Sequence, residues 1–579
     1  MQGRSTIFVL GVVLAVAGCI GHGGGSSGGG GGSPIIGAYH VVVSVQPAAP
    51  QVDQPIAIQV QVLNGLNQPA AVTTNATVSI SATPVGLAPR TLTGTLAAGV
   101  TSSTFIGHIA AVGSFALNVS VNTNSLAGIL TANANIIVSD NALAGTTSGE
   151  VSIDAGGPGI TSYQNLATAA LDSQVAVAFA DQRLQGASHV FVNASLDGGN
   201  TFLGPIQADR APQTADAWDA AVSIDGQGLT AVAWCDQRAS ETGQVFANVS
   251  RDGGQTYGSA DARVDAATVR VAPCSGTKVV LANGRILVAW MDTRDAKIGG
   301  TIYVSRSLDG GQTFAETRLD THTAGTTPWS VSGLSLVGSG DDVTVVWVES
   351  QGSTTNVVAS SSQDGGASFK PSTLNTVATA HVRDPKLAGS GGVLYVAWRD
   401  DRTTVATTPF LCRSVDGGAT WSAEAPVPTG AAKAQIASLS LGASGLEVVV
   451  LFASQDQGAT EVVPFAVVST DGGTTFTVTG ALPQGTQDSV RDPEVAASGH
   501  NVYSSWNEVA YASGERASLS SNGGATFATT SKVSASTAAD GLFGPTRSVF
   551  KSGGRFFVLW EEARGTPTSA SHLYLVVLQ

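Results

Sequence analysis

The octet SLDGGNTF at Ser195–Phe202 decides how this chain is read. Nearly the same residues return as SRDGGQTY, SLDGGQTF, SQDGGASF, SVDGGATW, STDGGTTF and SSNGGATF, opening at Ser250, Ser307, Ser362, Ser414, Ser469 and Ser520. The steps are 55, 57, 55, 52, 55 and 51 residues. A period of that size predicts a propeller or a solenoid. Within each octet the chemistry is local. A carboxylate at the third position accepts hydrogen bonds from N–H groups of its own turn, and two glycines relieve the steric cost of positive φ. A Thr or Ser hydroxyl adds a bond, and the last aromatic plugs the turn onto a sheet. The acceptors are Asp197, Asp252, Asp309, Asp364, Asp416 and Asp471, with Asn522 in the seventh copy, whose side-chain oxygen still accepts. One carboxylate per turn is far short of a calcium shell, so these turns are expected to be structural, with no metal.

A second marker recurs in phase. Short apolar runs such as TAVAW, ILVAW and LYVAW end at Phe179, Trp234, Trp290, Trp347, Trp398, Phe452, Trp506 and Trp560. Each run is too short for a helix and reads as a buried strand. One unit is then an inner strand, the marker strand, a third strand, the octet turn and a short outer strand. Four antiparallel strands per unit make a propeller blade. The marker aromatic is expected to pack against the next blade.

S-x-D-G-G-x-T-F/W is the Asp box, and over about 430 residues the chain resembles the sialidase-like β-propeller superfamily. The resemblance implies boxes on the periphery, away from any active site. Eight markers against seven boxes predict eight blades, with seven as the alternative. The last unit ends where a box would begin, and GEVSIDAG at Gly149–Gly156 resembles the outer strands ADARVDAA and AETRLD. That segment is expected to supply the missing outer strand and leave no open edge.

The rest of the chain is organised around this ring. Residues 1–18 hold Arg4 and the run IFVLGVVLAVAG, too short to span a bilayer, and VAGC resembles a bacterial lipobox. The resemblance implies cleavage before Cys19, lipidation of that residue, and a lipid-anchored place in the cell envelope. Ile20, where an inner-membrane retention signal often has Asp, favours the outer membrane. Residues 19–36 form a glycine-rich flexible linker. Residues 37–142 alternate in short runs such as PIAIQVQVLN and predict an immunoglobulin-like β-sandwich. The propeller is assigned to 148–579. Cys235 and Cys274 either pair or are buried as small hydrophobes. The net charge of −14 argues against nucleic-acid binding. No nucleotide loop, zinc motif or GxSxG elbow occurs, and no cofactor is expected.

Ligands of propellers usually meet the axial funnel, where inner strands begin. Arg270, Arg383, Arg491 and Arg547 stand at comparable places, and Tyr163, Gln164, Trp218, Asp219 and Trp329 accompany them. Arginines suit carboxylates and aromatic faces suit sugar rings. The sialidase pattern also implies a tyrosine–glutamate pair, an aspartate acid/base and an Arg-Ile-Pro motif. Only VRDP approaches the last, at Arg383–Pro385 and Arg491–Pro493, without the isoleucine. By strand alternation Asp384 and Asp492 are expected to face away from their arginines. D-x-R after the marker strand, at Asp181/Arg183, Asp236/Arg238, Asp292/Arg294 and Asp400/Arg402, with Glu562/Arg564 as a variant, is expected to anchor loops. The leading expectation is a monomeric, non-catalytic lipoprotein that binds a glycan or protein at the funnel. The alternatives are an exo-acting glycoside hydrolase of sialidase type and an envelope scaffold.

Overall fold

The structure, a computed structural model, describes residues 39–123, 129–140, 149–155, 164–184, 186–212, 214–238, 242–267, 273–325, 327–378, 381–403, 406–430, 434–456, 461–482, 489–509, 514–528, 531–534, 542–552, 554–563 and 571–578. The chain divides into two compact units between Ser139 and Asp140.

The first unit has strands β1 (His40–Gln46), β2 (Pro55–Leu63), β3 (Ala76–Thr83), β4 (Leu87–Ala88), β5 (Thr91–Leu96), β6 (Ser102–Ile109), β7 (Gly113–Asn122) and β8 (Ile129–Val138). They form two four-stranded sheets, β1-β2-β6-β4 and β5-β3-β7-β8. Period-2 alternation puts Ile56, Ile58 and Val60 of β2, Val78 and Ile80 of β3, and Leu117 and Val119 of β7 into one shared core.

The second unit has eight four-stranded antiparallel sheets among the described residues. The first contains β10 (Gln164–Leu171), β11 (Gln174–Asp181), β12 (His189–Ser195) and β13 (Ile206–Gln207), in that spatial order, and the next six repeat this order. The last holds Leu542–Ser552, Arg555–Ala563 and Ser571–Leu578, and β9 (Val151–Ser152) completes it. Tyr574 pairs with Ser152 and Leu575 with Val151. Ile153 is fully buried and donates its N–H to Leu573 O at 2.8 Å. Thus residues near the start of the unit close the sheet that ends the chain.

The marker aromatics are all buried, and each packs on the preceding sheet, not the next. Trp234 lies against Ala176, Ala178 and Val192 of the first sheet, and Trp290 against Ala231 and Ala233 of the second. Phe179 lies against Phe557 and Leu559 of the last, which joins the two ends of the ring. The sheets thus form a β-propeller, in which no sheet buries its own faces without neighbours.

The repeated octets form turns held by their own side chains. In the first, Ser195 Oγ donates to Asp197 Oδ1 at 2.8 Å, while the N–H groups of Gly199 and Thr201 donate to Ser195 Oγ and Asp197 Oδ1. Thr201 Oγ1 donates to Asp197 Oδ2 at 2.6 Å. Both glycines have positive φ, 72° and 83°. Asn522 reproduces the pattern, accepting from Ser520 Oγ and Thr526 N through Oδ1. The terminal aromatics, Phe202 and Tyr257 among them, pack into the sheet cores. The boxes join third and outer strands, so they lie on the rim. Gly198 N also donates to Ser173 O, in the hairpin between β10 and β11, and Gly253 N to Gly228 O. Boxes and inner hairpins therefore share one face of the ring. Inner strands begin at the opposite face.

Candidate functional site

The inner strands share a feature that alternation does not predict. Each pairs with its marker strand through a register shift near its beginning: between Trp218 and Ala221, Ser275 and Lys278, Ser332 and Ser335, Arg383 and Lys386, and Arg491 and Glu494 in five of the sheets. The next residue in these five is Asp219, Gly276, Gly333, Asp384 or Asp492, and all have φ between 46° and 66°. Only glycine, or aspartate and asparagine at modest cost, occupies that region readily, which explains the alternation of Asp and Gly at this place. Such bulges re-aim side chains.

The bulges touch one another around the mouth of the ring. Asp219 Oδ2 accepts the Gly276 N–H of the next sheet at 2.8 Å. A Cβ on Gly276 would lie 3.6 Å from Leu334 Cβ of the fourth sheet, and one on Gly333 only 2.6 Å from Pro385 Cδ of the fifth. Asp219 is buried, which pushes its carboxyl above the usual range; the Gly276 N–H and the charge of Lys278 oppose that rise.

The fifth sheet carries the most charge. Arg383 pairs with Asp401, and Asp384 pairs with Arg399. Arg399 Nη1 also donates to Ile436 O of the sixth sheet at 2.7 Å, and Thr407 Oγ1 donates to Asp401 Oδ1 at 3.0 Å. Arg383 is 51% exposed and Asp384 47%, so each retains an open edge. Both members of Arg383–Asp384 reach solvent.

Strand register separates the other candidates. Arg383 and Arg491 hold equivalent places, shared with Trp218, Ser275 and Ser332. Ser275 thus occupies the place expected for Arg270, which lies five residues earlier and, like Tyr163 and Cys19, outside the described residues. Arg547 pairs with the marker Trp560, further along its strand than Arg383, which pairs with Arg399 beyond Trp398. Gln164 pairs with Ala180. Trp218 is partly buried and donates its indole N–H to Cys274 O at 3.0 Å, so it braces the third sheet instead of offering an open face. Trp329 precedes Ser332 by three residues and stacks on His322 with centroids 4.1 Å apart. Cys235 and Cys274 form a disulfide beside Trp218, between the second and third sheets.

The D-x-R motif has a structural role. Asp292 is buried; it accepts the Trp290 indole N–H at 3.0 Å, the Arg294 backbone N–H at 2.7 Å and the Arg294 guanidinium at 2.9 Å. Arg294 then reaches Glu316 and lies 3.8 Å over the Tyr303 ring. Arg402 repeats this with Asp400, Glu424 and Phe410. The fourth sheet lacks the arginine, and there His322 binds Glu349 at 2.8 Å. Sequence reading did not single out His322, because it lies outside the repeated motif. Among the described residues no cluster of three His, Cys, Asp or Glu side chains is arranged to hold a metal.

No protein family matches the chain, and no curated protein matches it. Among solved structures, the chain is similar to an α-L-arabinanase of Penicillium chrysogenum complexed with arabinobiose, at 16% identity and a TM-score of 0.32, covering 51% of this chain and 90% of that one. It is also similar to an ulvan lyase of a new polysaccharide lyase family, at 13% identity and 0.39, covering 65% and 94%. A third is a leech intramolecular trans-sialidase, at 11% identity and 0.35, covering 82% and 89%.

Proposed function

We propose that this chain is a lipid-anchored envelope protein that recognises a glycan at the mouth of an eight-bladed propeller. In this reading Cys19 carries the lipid after residues 1–18 are removed, residues 19–36 are the tether, and an immunoglobulin-like sandwich serves as spacer. The observation that carries the reading is the pair of ion pairs Arg383–Asp401 and Arg399–Asp384, with open edges at the mouth. A sugar hydroxyl both donates and accepts, and a guanidinium beside a carboxylate offers it both partners at once. On the opposite face the octet carboxylates are engaged by their own turns, as Asp197 is by Thr201.

A second reading, a glycoside hydrolase, is favoured by one group. Asp219 is a buried carboxyl at the mouth with raised proton affinity, as a general acid requires. One experiment separates the two: a glycan array run beside a panel of fluorogenic glycosides. Glycan binding that falls at least tenfold in Arg383→Ala, without turnover of any glycoside, supports recognition. Turnover abolished by Asp219→Asn would replace it with hydrolysis.

A further inference from the structure

Three Asn-Gly pairs occur in the chain, Asn64–Gly65, Asn283–Gly284 and Asn522–Gly523. A glycine has no Cβ to shield its backbone nitrogen, so that nitrogen is free to attack the side-chain amide of the asparagine before it. The three pairs stand in very different surroundings.

Asn64 follows β2 and opens a tight loop that the pairing of Leu63 with Pro69 closes. Its backbone N–H donates to Gln68 O and its carbonyl accepts from Asn67 N, both at 2.9 Å. Its side-chain Oδ1 accepts two further backbone N–H groups, from Leu66 at 2.9 Å and from Gln68 at 3.0 Å. A turn of this kind folds the side chain back over the backbone that follows it, and so brings the amide carbon beside the nitrogen of the next residue. The Gly65 N–H makes no hydrogen bond with another described residue, and Gly65 is exposed. Negative charge that develops on Oδ1 during attack meets two N–H donors already aimed at it.

The other two pairs each lack part of this arrangement. Asn283 and Gly284 form a two-residue turn between the paired Ala282 and Arg285, with φ of 51° and 74°. Asn283 Nδ2 donates to Asp341 Oδ1 of the fourth sheet at 3.1 Å, which holds the amide on a neighbour, and no described N–H donates to its oxygen. Asn522 Oδ1 does accept from Thr526 N, but Gly523 is buried and its N–H is committed to His500 O at 2.7 Å.

We propose that Asn64 is a self-modification site, at which Gly65 N displaces the side-chain amide and water completes the conversion to aspartate or isoaspartate. The Gly65 nitrogen gives its proton to hydroxide and forms a bond to Asn64 Cγ. The electron pair of the Cγ–Oδ1 double bond moves onto Oδ1, where the Leu66 and Gln68 N–H groups hold it, and returns as the Cγ–Nδ2 bond breaks. The amide leaves as ammonia with a proton from water. Water then opens the cyclic imide: at Cγ it restores the chain with aspartate, and at the main-chain carbonyl it leaves isoaspartate. Nothing is oxidised or reduced. Either product places a new negative charge on the loop after β2, and isoaspartate also lengthens the main chain there.

The test incubates the full chain in mildly alkaline buffer made with heavy-oxygen water, in the folded state and in urea, and reads protease fragments by mass spectrometry. In the folded chain Asn64 is expected to convert at least tenfold faster than Asn283 or Asn522, with heavy oxygen in the new carboxyl. In urea the three rates are expected to converge, and Asn64 should be no slower folded than unfolded. Gly65→Ala is expected to slow the reaction at least tenfold; the φ of Gly65 is not left-handed, so alanine fits the turn. The comparison within the wild-type chain does not depend on that variant folding. Equal rates at the three sites in the folded chain, slower conversion of Asn64 folded than in urea, or an unchanged rate in Gly65→Ala would each overturn the proposal.

Discussion

Replacement of Asp292 by alanine tests the claim that the repeated D-x-R motif is an anchor. The side chain is 1% exposed and satisfies three donors: the Trp290 indole, the Arg294 backbone N–H and the Arg294 guanidinium. Removing it strands the first two where water does not reach, at about 1–3 kcal/mol each. The guanidinium keeps Glu316 at 2.7 Å, so its charge remains paired and the full cost of orphaning a cation is avoided. The expected loss is about 3–5 kcal/mol, within the range for breaking a buried ion pair by removing one partner. Asp292→Asn keeps an acceptor for the indole and is expected to lose roughly half as much. Urea denaturation followed by tryptophan fluorescence measures both, with the slope checked for constancy so that midpoints can be compared. A loss below about 1 kcal/mol in the alanine variant would refute the anchoring argument.

Three further outcomes are expected. His189 is buried against Asp209 at 2.8 Å; the hydrogen bond that its Nδ1–H donates to Asp209 raises its pKa above the ordinary 6.5 in spite of burial. Its contribution to stability is therefore complete below pH 6.5 and is lost as pH rises through the folded value, so melting curves of wild type and His189→Gln should converge above that pH. Asp197 and Asp471 are held down to about 2, first by the hydroxyls of Thr201 and Thr475 and then by backbone N–H groups. Their contribution is present above pH 3.8 and lost as pH falls toward 2, and Asp471→Asn should flatten acid unfolding in that window, since Asn522 already makes the same turn without titrating. Ile153→Ala should cost about 2–5 kcal/mol, because the buried side chain belongs to the segment that closes the last sheet; a loss below about 1 kcal/mol in urea would show that the closing strand contributes little.

Much of this architecture is legible in the sequence because a ring repeats its constraints. The octet solves the same steric problem in seven sheets and the marker aromatic in all eight, so they recur with little change. The bulges were harder to see. Their residues alternate between Asp and Gly, because what they share is a left-handed backbone and not a side chain. A positional signal was nonetheless present: Gly276, Gly333, Asp384 and Asp492 each precede their marker tryptophan by fourteen residues. Arg270 precedes Trp290 by twenty, and Arg547 precedes Trp560 by thirteen. Arg270 and Arg547 fall out of the bulge register because the connections between outer and inner strands vary in length. The ion pairs of the fifth sheet were illegible for another reason: Asp401 and Arg399 flank the motif residue Asp400 and look like part of it.

Repetition and variation divide between different positions of one ring. Positions that stay constant from sheet to sheet, such as the box acceptors and the D-x-R aspartates, are saturated by hydrogen bonds from their own sheet. They cannot bind a ligand without first breaking the turn that holds them. Positions that share a register yet change identity behave differently. One holds Trp218, Ser275, Ser332, Arg383 and Arg491; another holds Lys278, Ser335, Lys386, Ser440 and Glu494. Both lie on inner strands, where packing asks only for a backbone path and leaves the side chain free to vary. A ring of equivalent sheets can acquire an asymmetric binding surface only at such positions, because a change elsewhere removes a contact that a neighbouring sheet needs. Exchanging the box acceptor Asp309 for Asn should therefore leave ligand affinity at the mouth unchanged, while exchanging Arg383 for the serine found at the same place in the third and fourth sheets should abolish it.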